Sequence, residues 1–328
     1  MSLSCPCCSG NTYEACCKPL HEGRLPVNAL ALMRSRYAAF ALNLPDYLIA
    51  TTHPAGTQYS ENTFLWKRQL SQFSQRSSFE GLEILSFQEN AMLATVTFTA
   101  RLSQDGKDAT FTEKSYFEKF RGRWLYRNGQ IAAGRVIPAA SAGPLRLLPL
   151  AYYGAAVLRQ KAEAVPRVTS EIHDLVIDMV ETMDAFNAMG IAAPQVHSPL
   201  RLFVIRKPTE EPDTGKLDLG AVEVFINPTL SAPSAATWSA PEGCLSIPNL
   251  RASVERPKEM TVEYTSLEGQ LCTQRFTGWE ARVIMHENDH INGVLFVDRM
   301  DSEDKKKSAS LLKNIEQRLK HDRNADAF

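Results

Sequence analysis

The chain has 328 residues, 44% of them hydrophobic, with a formal net charge of −1 and a sequence pI near 6.7. That length accommodates two ordinary domains, and near-neutrality excludes a dedicated nucleic-acid binder, which carries a basic face. No apolar run approaches the roughly eighteen residues of a membrane span, and no charged segment followed by an apolar stretch opens the chain, so a soluble cytoplasmic protein with no membrane partner and no specific DNA target is expected.

The N-terminus begins with "CPCCSGNTYEACC", which holds Cys5, Cys7, Cys8, Cys16 and Cys17; the other cysteines, Cys244 and Cys272, lie far downstream. A cluster this tight without a secretion signal reads as metal binding before disulfides. Four thiolates, Cys5, Cys7, Cys16 and Cys17, fit a tetrahedral structural Zn²⁺ site. Cys8 is left over, as an alternative ligand or a spare thiol.

Next comes "NALALMRSRYAAFALNLPDYLIATTH", of helical length, with Leu30, Met33, Tyr37 and Phe40 at helical spacing. "LEILSFQENAMLATVTFTARLS" and "ATFTEKSYFEKFRGRWLYRNGQ" alternate as antiparallel strands do, with "SQDGK" as a hairpin turn between them. Together these make a small α+β domain that ends near residue 130. The Ala-, Gly- and Pro-rich stretch "GQIAAGRVIPAASAGPLRLLPL" has no clear periodicity, which places a domain boundary near 142. The expected domains are 1–142 and 143–328.

The second half begins with a short turn segment. "TSEIHDLVIDMVETMDAFNAMG" then puts Ile172, Leu175, Val176, Met179 and Met183 on one helical face, with Gly190 as its stop. Strands are expected in "LRLFVIRK", "AVEVFINPTL" and "MTVEYTSLEGQLCTQRF", a helix from about Trp279 to Asn292, and a charged helical tail from about Ser302. The lysines of "DKKK" and of "LLKNIEQRLKHDR" read as a solvated amphipathic helix in preference to an RNA contact.

Within "VIMHENDHINGVLF", His286 and His290 are four residues apart and share one helical face. Glu287 stands one step round, placed to take a proton from water activated by an ion between the imidazoles. A third ligand is needed. A histidine six residues after the second is closed off by Phe296, and Glu303 and Glu316 lie in the lysine-rich tail. Cys244, in the turn "PEGCLSIP", is the better candidate, because a thiolate and two imidazoles leave one coordination position open. Cys272, inside a strand, reads as a small buried hydrophobe. "AMGIAAPQV" adds small residues that let a substrate backbone approach, and Gln195, whose amide can donate to a developing oxyanion.

In this order and at these separations, "GIAAPQ", "EGCLS" and "HENDH" resemble the peptide deformylase family, with "YYGAAVLRQKAEAV" and "NGVLFVDRM" extending the likeness over about 145–305. The resemblance implies removal of the N-formyl group from the initiator methionine of nascent polypeptides, releasing formate. It implies Cys244, His286 and His290 as ligands of a catalytic Fe²⁺ or Zn²⁺, with Fe²⁺ the more active, and Glu287 as general acid and base. Gln195 and the Leu245 N–H would hold the formyl oxygen. Gly190, Ile191 and Gly243 would clasp the substrate as an added strand, and Met189 would line the methionine pocket. The implied fold is α+β around a central helix that bears the histidines. One departure is Ala188, where the family has a second glycine; a methyl there is expected to narrow the cleft or shift the loop. A fold without turnover, capturing peptide termini, is the rival reading.

The cysteine stretch resembles the SEC-C zinc motif. With "LMRSRYAAF", "THP" and "GRWLYRNG", residues 1 to about 130 resemble YchJ-like proteins. That likeness implies a zinc knuckle before a nuclear-transport-factor-2-like α+β fold and no defined chemistry. A docking role near ribosomes or nascent chains is the expectation attached to it.

Overall fold

The structure, a computed structural model, describes residues 4–137, 145–210 and 217–319. It divides into two compact units, Met1–Leu145 and Arg146–Phe328. The boundary expected near 142 lies outside the described residues.

The first unit opens with the cysteine loop and a single helical turn, α1 (Lys18–His21), followed by α2 (Ala29–Ala41), α3 (Pro45–Ala50) and α4 (Thr63–Arg76). The long helix expected from the "NALAL" stretch is therefore broken in two. Asn43 adopts a left-handed backbone (φ 53°) and Pro45 occupies the first turn of α3, so the chain stops and restarts there. Asn28 caps α2 by accepting from the Ala31 amide at 2.8 Å, and Asn62 caps α4 by accepting from Leu65 at 3.0 Å. The sequence reading passed over α4, which is mostly polar and buries only Trp66 and Ser74.

A five-stranded antiparallel sheet follows, made of β1 (Ser77–Glu89), β2 (Leu93–Gln104), β3 (Lys107–Asp108), β4 (Phe111–Phe120) and β5 (Arg123–Ala133). Its order is β1-β2-β4-β5, with β3 paired to β2. Each expected strand stretch holds two strands. The "SQDGK" turn is a tight hairpin with positive φ at both Asp105 and Gly106, the backbone twist that two-residue hairpins prefer. Leu32, Met33 and Tyr37 of α2 pack on Val96, Phe98, Phe117 and Tyr126 to form the core.

The second unit contains α5 (Ser170–Ala185), β6 (Gly190–Ala192), β7 (Leu202–Glu210), β8 (Leu217–Ser231), β9 (Thr237–Cys244), β10 (Ile247–Pro257), β11 (Glu259–Thr265), β12 (Leu271–Thr277), α6 (Gly278–Ile291) and α7 (Ser302–Leu319). Five antiparallel strands run β12-β11-β8-β7-β6, while β9 and β10 form a separate hairpin. The fold is α+β, with α6 buried along most of its length. Phe203, Phe225 and Phe276 from the sheet pack against Ile284 and Ile291 of α6.

Gly190 does not stop α5. Asn187 takes the left-handed position (φ 52°), and the Ala188 amide closes the cap on the Met183 carbonyl at 3.0 Å. Gly190 instead opens β6. The β9–β10 hairpin was not expected from the sequence, although β10 alternates buried and exposed residues cleanly. No helix among the described residues is long and apolar enough to cross a membrane.

Candidate active site

Three elements converge on one point. α6 supplies His286, Glu287 and His290, all within its last two turns and 9% exposed or less. β9 ends at Cys244, and Gln195 sits in a short 3-10 turn, Ala193–Val196, directly after β6. The Cys244 thiol and one nitrogen from each imidazole lie within 4.8 Å of one another. Cys244 Sγ is 3.3 Å from His290 Nε2, close to the edge of about 3.5 Å for a tetrahedral ion with bonds of about 2.0–2.3 Å.

A buried carboxylate orients the first histidine. His286 Nδ1 is 2.9 Å from Glu242 Oε2, which leaves Nε2 for the cluster. Glu242 was not singled out from the sequence. It is one residue from Gly243 and buried at 6% exposure, and it accepts from Arg256 Nε (2.6 Å), Arg256 Nη2 (2.8 Å) and Arg282 Nη1 (2.6 Å). Arg256 reaches on to Asp289 at 3.0 Å, and Asp289 is also held by Arg299. The signal available in the sequence was an acid in a strand that alternates inward, with no ligand role to draw attention to it.

Burial opposes charge on Glu242, but Arg256 and His286 outweigh it and hold the carboxyl well below the usual range. Burial pushes Glu287 up to about 7 against the pull of His286. Burial also works against a charged His286, yet hydrogen bonding to Cys244 and Glu242 raises it to about 10, whereas burial and the neighbouring His286 drive His290 well below its ordinary value. The two imidazoles are thus pushed in opposite directions. One sulfur and two imidazole nitrogens are the donor set that a borderline divalent cation takes.

Gln195 is 2% exposed, and its orientation is set locally. Its Oε1 accepts from the Ala192 amide at 2.8 Å, so Nε2 faces Cys244 Sγ and Ser246 Oγ, each at 3.4 Å. The Leu245 N–H, in the turn after Cys244, has no acceptor among the described residues. The Gln195 amide therefore flanks the cluster, and the Leu245 N–H follows Cys244 directly in the chain. β6 is the terminal strand of its sheet, so the edge of Gly190–Ala192 away from β7 has no strand partner among the described residues. Gly243 lies on β9 opposite Arg251, and Met189 packs half-buried against the core.

Gly190 is demanded by its neighbour. A Cβ there would stand 2.6 Å from Glu287 Oε1. Ala188 has an ordinary negative-φ backbone, because Asn187 takes the left-handed turn. Among the described residues Glu303 pairs with Lys307, and Glu316 packs against Gly154; neither joins the cluster. Cys272 packs half-buried against the core.

The first unit holds a second cluster, Cys5, Cys7, Cys16 and Cys17. Cys7 and Cys16 sulfurs are 3.5 Å apart and those of Cys16 and Cys17 are 3.8 Å apart, the spacing expected around an ion with metal–sulfur bonds of about 2.3 Å. Cys8 stays outside and exposed, with its backbone at φ 57°, where a glycine is at ease.

A profile of the polypeptide deformylase family matches residues 147–306, and one of the YchJ middle NTF2-like domain matches 28–129. The peptide deformylase of Christiangramia forsetii is 38% identical over 176 residues, covering 52% of this chain and 89% of the relative. That of Microchaete diplosiphon is 41% identical over 155 residues, covering 47% and 80%. The crystal structure of peptide deformylase from Ehrlichia chaffeensis is 32% identical and covers 52% of this chain and 97% of its own, with a TM-score of 0.48. With nearly all of a deformylase contained in its second unit and a YchJ-type domain in its first, the chain belongs to the peptide deformylase family.

Proposed function

We infer that the protein is a metal-dependent amide hydrolase that removes the N-formyl group from the initiator methionine of nascent polypeptides, releasing formate. The observation that carries this is the convergence of Cys244, His286 and His290 beside a buried Glu287 and an oriented Gln195 amide. Cys244, His286 and His290 would hold the ion, and a divalent cation so bound polarises the formyl carbonyl and acidifies water. Fe²⁺ is our choice for the native ion and Zn²⁺ the alternative; both suit one thiolate and two imidazoles.

The remaining work falls to the chain's own groups. Glu287, pushed up to about 7, takes a proton from water and delivers it to the departing amine; a buried carboxyl with that value exchanges protons readily near neutrality. Gln195 Nε2 and the Leu245 N–H donate to the formyl oxygen as it gains charge. The outer edge of Gly190 and Ile191, together with Gly243, takes the peptide backbone as an added strand, and Met189 lines the wall against the methionine side chain. In the first unit, Cys5, Cys7, Cys16 and Cys17 hold a structural Zn²⁺. We assign that unit a docking role toward ribosomes or nascent chains and place the protein in the cytoplasm.

Formate release from a formyl-Met peptide by anaerobically purified protein tests the reading, with Glu287→Ala assayed beside it and metal counted in both. Glu287→Ala should keep its metal and lose about 10²–10⁴ in rate. A wild-type protein that carries its metal and releases no formate would instead make it a peptide-terminus binder.

A further inference from the structure

α5 ends in a charge that its own dipole opposes. Asp184 stands in the last turn, with no basic residue beside it there. The C-terminal end of a helix carries partial negative charge and disfavours an acid, so α5 itself gains nothing from Asp184. The partner of Asp184 lies on β7. Arg206 Nε and Nη2 donate to its two oxygens at 2.6 and 2.5 Å, the forked arrangement in which a guanidinium holds a carboxylate most firmly. The remaining arm, Nη1, donates to the Gly220 carbonyl at 3.0 Å, next to the register shift between β7 and β8 at Arg206–Pro208.

The backbone of the same arginine reaches the loop that follows α5. The Arg206 N–H donates to the Met189 carbonyl at 2.8 Å, one step beyond the ladder that pairs Gly190 with Ile205. Arg206 thus grips both ends of a short span: its side chain holds Asp184 and its amide holds Met189, with residues 185–188 between them. Within the span Asn187 takes the left-handed turn, and the Ala188 amide bonds the Met183 carbonyl. The span delivers the chain to Met189, half-buried against the core, and then to Gly190, whose missing side chain leaves room for Glu287. At 25% and 39% side-chain exposure the Arg206–Asp184 pair adds little stability by itself; what it fixes is the path of this loop.

We propose that Asp184 and Arg206 are positioning residues that set one wall of the methionine pocket, by holding Met189 in place against the substrate side chain. This rests on the deformylase reading above. Releasing Asp184 leaves the Arg206 amide alone to hold Met189, and the wall loosens where the side chain would pack. The proposed ligands Cys244, His286 and His290 sit on β9 and α6 and keep their own supports. The loss therefore falls on binding of the methionine side chain and not on the metal.

Steady-state formate release from formyl-Met and formyl-Ala tripeptides by the metal-loaded full-length protein tests the assignment, in wild type, Asp184→Asn, Arg206→Met and the double variant. For the formyl-Met peptide KM should rise about fivefold, the worth of one well-formed exposed pair, with kcat within about twofold, the pattern of lost ground-state binding. The formyl-Ala peptide leaves the wall unfilled, so the preference for formyl-Met should fall by the same factor. The double variant should lose no more than either single one, since both break one interaction. Hydrogen exchange at the Arg206 amide, which holds Met189, should quicken in Asp184→Asn independently of turnover. Equal losses on the two peptides, or losses that add in the double variant, would make the pair a general support and overturn the proposal; unchanged exchange at Arg206 would overturn it too. Wild type that holds its metal and releases no formate would overturn the deformylase reading and the pocket assignment with it, a failure that the exchange data separate from a loop Asp184 does not hold. Asp184→Asn keeps the side-chain shape and carries the test alone if Arg206→Met does not fold.

Discussion

Glu287 and Gly190 are a matched pair, although they lie in different motifs. The carboxyl of Glu287 occupies the space that a side chain at 190 would need. Gly190→Ala should therefore displace the carboxyl without touching the ligands, costing about 10²-fold or more in turnover; metal content measured beside formate release should be unchanged. Ala188 makes the opposite prediction. Its backbone needs no left-handed freedom, since Asn187 supplies it. Ala188→Gly should change kcat/KM by less than about threefold, and a larger gain would show that the methyl narrows the cleft. Gln195 is a third residue whose meaning is positional: its Oε1 is tied to Ala192, so its amide nitrogen faces the cluster.

At the level of elements, α6 and the β9–β10 hairpin are joined by alternating charges: Arg282, Glu242, Arg256, Asp289 and Arg299. Through Glu242 these contacts also reach His286, so loosening them should loosen that proposed ligand. Asp289→Asn should speed loss of the metal to a chelator by about 10–100-fold, as changes behind metal ligands commonly do. Bound metal followed over time is the measurement. Glu242→Gln would leave two buried arginines short of a partner, at a cost of about 3–5 kcal/mol. The pH dependence has a definite sign. Because the folded-state value of Glu242 is depressed, its contribution is complete above the ordinary carboxylate range of about 4.3 and is lost as pH falls through its own lower value. Urea midpoints for the second unit should thus converge between wild type and Glu242→Gln as the pH is lowered below about 4.

On the scale of the whole molecule, each unit has its own core. The cysteine cluster is built into the first of them. Cys5, Cys7 and Cys17 pack on Ala38 of α2, Arg34 of α2 donates to the Cys7 carbonyl at 2.9 Å, and His21 Nε2 lies 2.9 Å from the Ser35 carbonyl. α2 is also the helix that covers the sheet. If the cluster holds its proposed zinc, removing it should weaken the whole first unit and not the knuckle alone, since structural zinc contributes folding free energy directly. Cys7→Ser should lower the melting of one thermal transition and leave formate release within about twofold, since units with separate cores unfold separately. Calorimetry with and without added zinc, beside the turnover assay, checks both halves of that expectation.

How much was legible in advance follows from the range of the forces involved. Helix spacing brought His286, Glu287 and His290 together from sequence alone, because i to i+4 geometry is local. The hairpin at Asp105–Gly106 was equally local, fixed by the φ values those residues tolerate. Cysteine spacing identified the first cluster, and three ordered motifs carried the family. Chain breaks set by a single backbone angle were missed, as at Asn43, and the stop of α5 was assigned to Gly190 when Asn187 takes it. Glu242 stayed hidden because its meaning lies in Arg256, Arg282 and His286, which reach it only after β9, β10 and α6 have packed. Arg36 belongs to the same class: it is an ordinary charged residue in the sequence, and only the packing of α2 on the sheet puts it against the Tyr126 ring. By itself the sequence determined which residues have the chemistry to hold a metal and move a proton. The tertiary structure decided which of their atoms are free to do so, because burial and hydrogen bonding from distant segments set each group's orientation and charge.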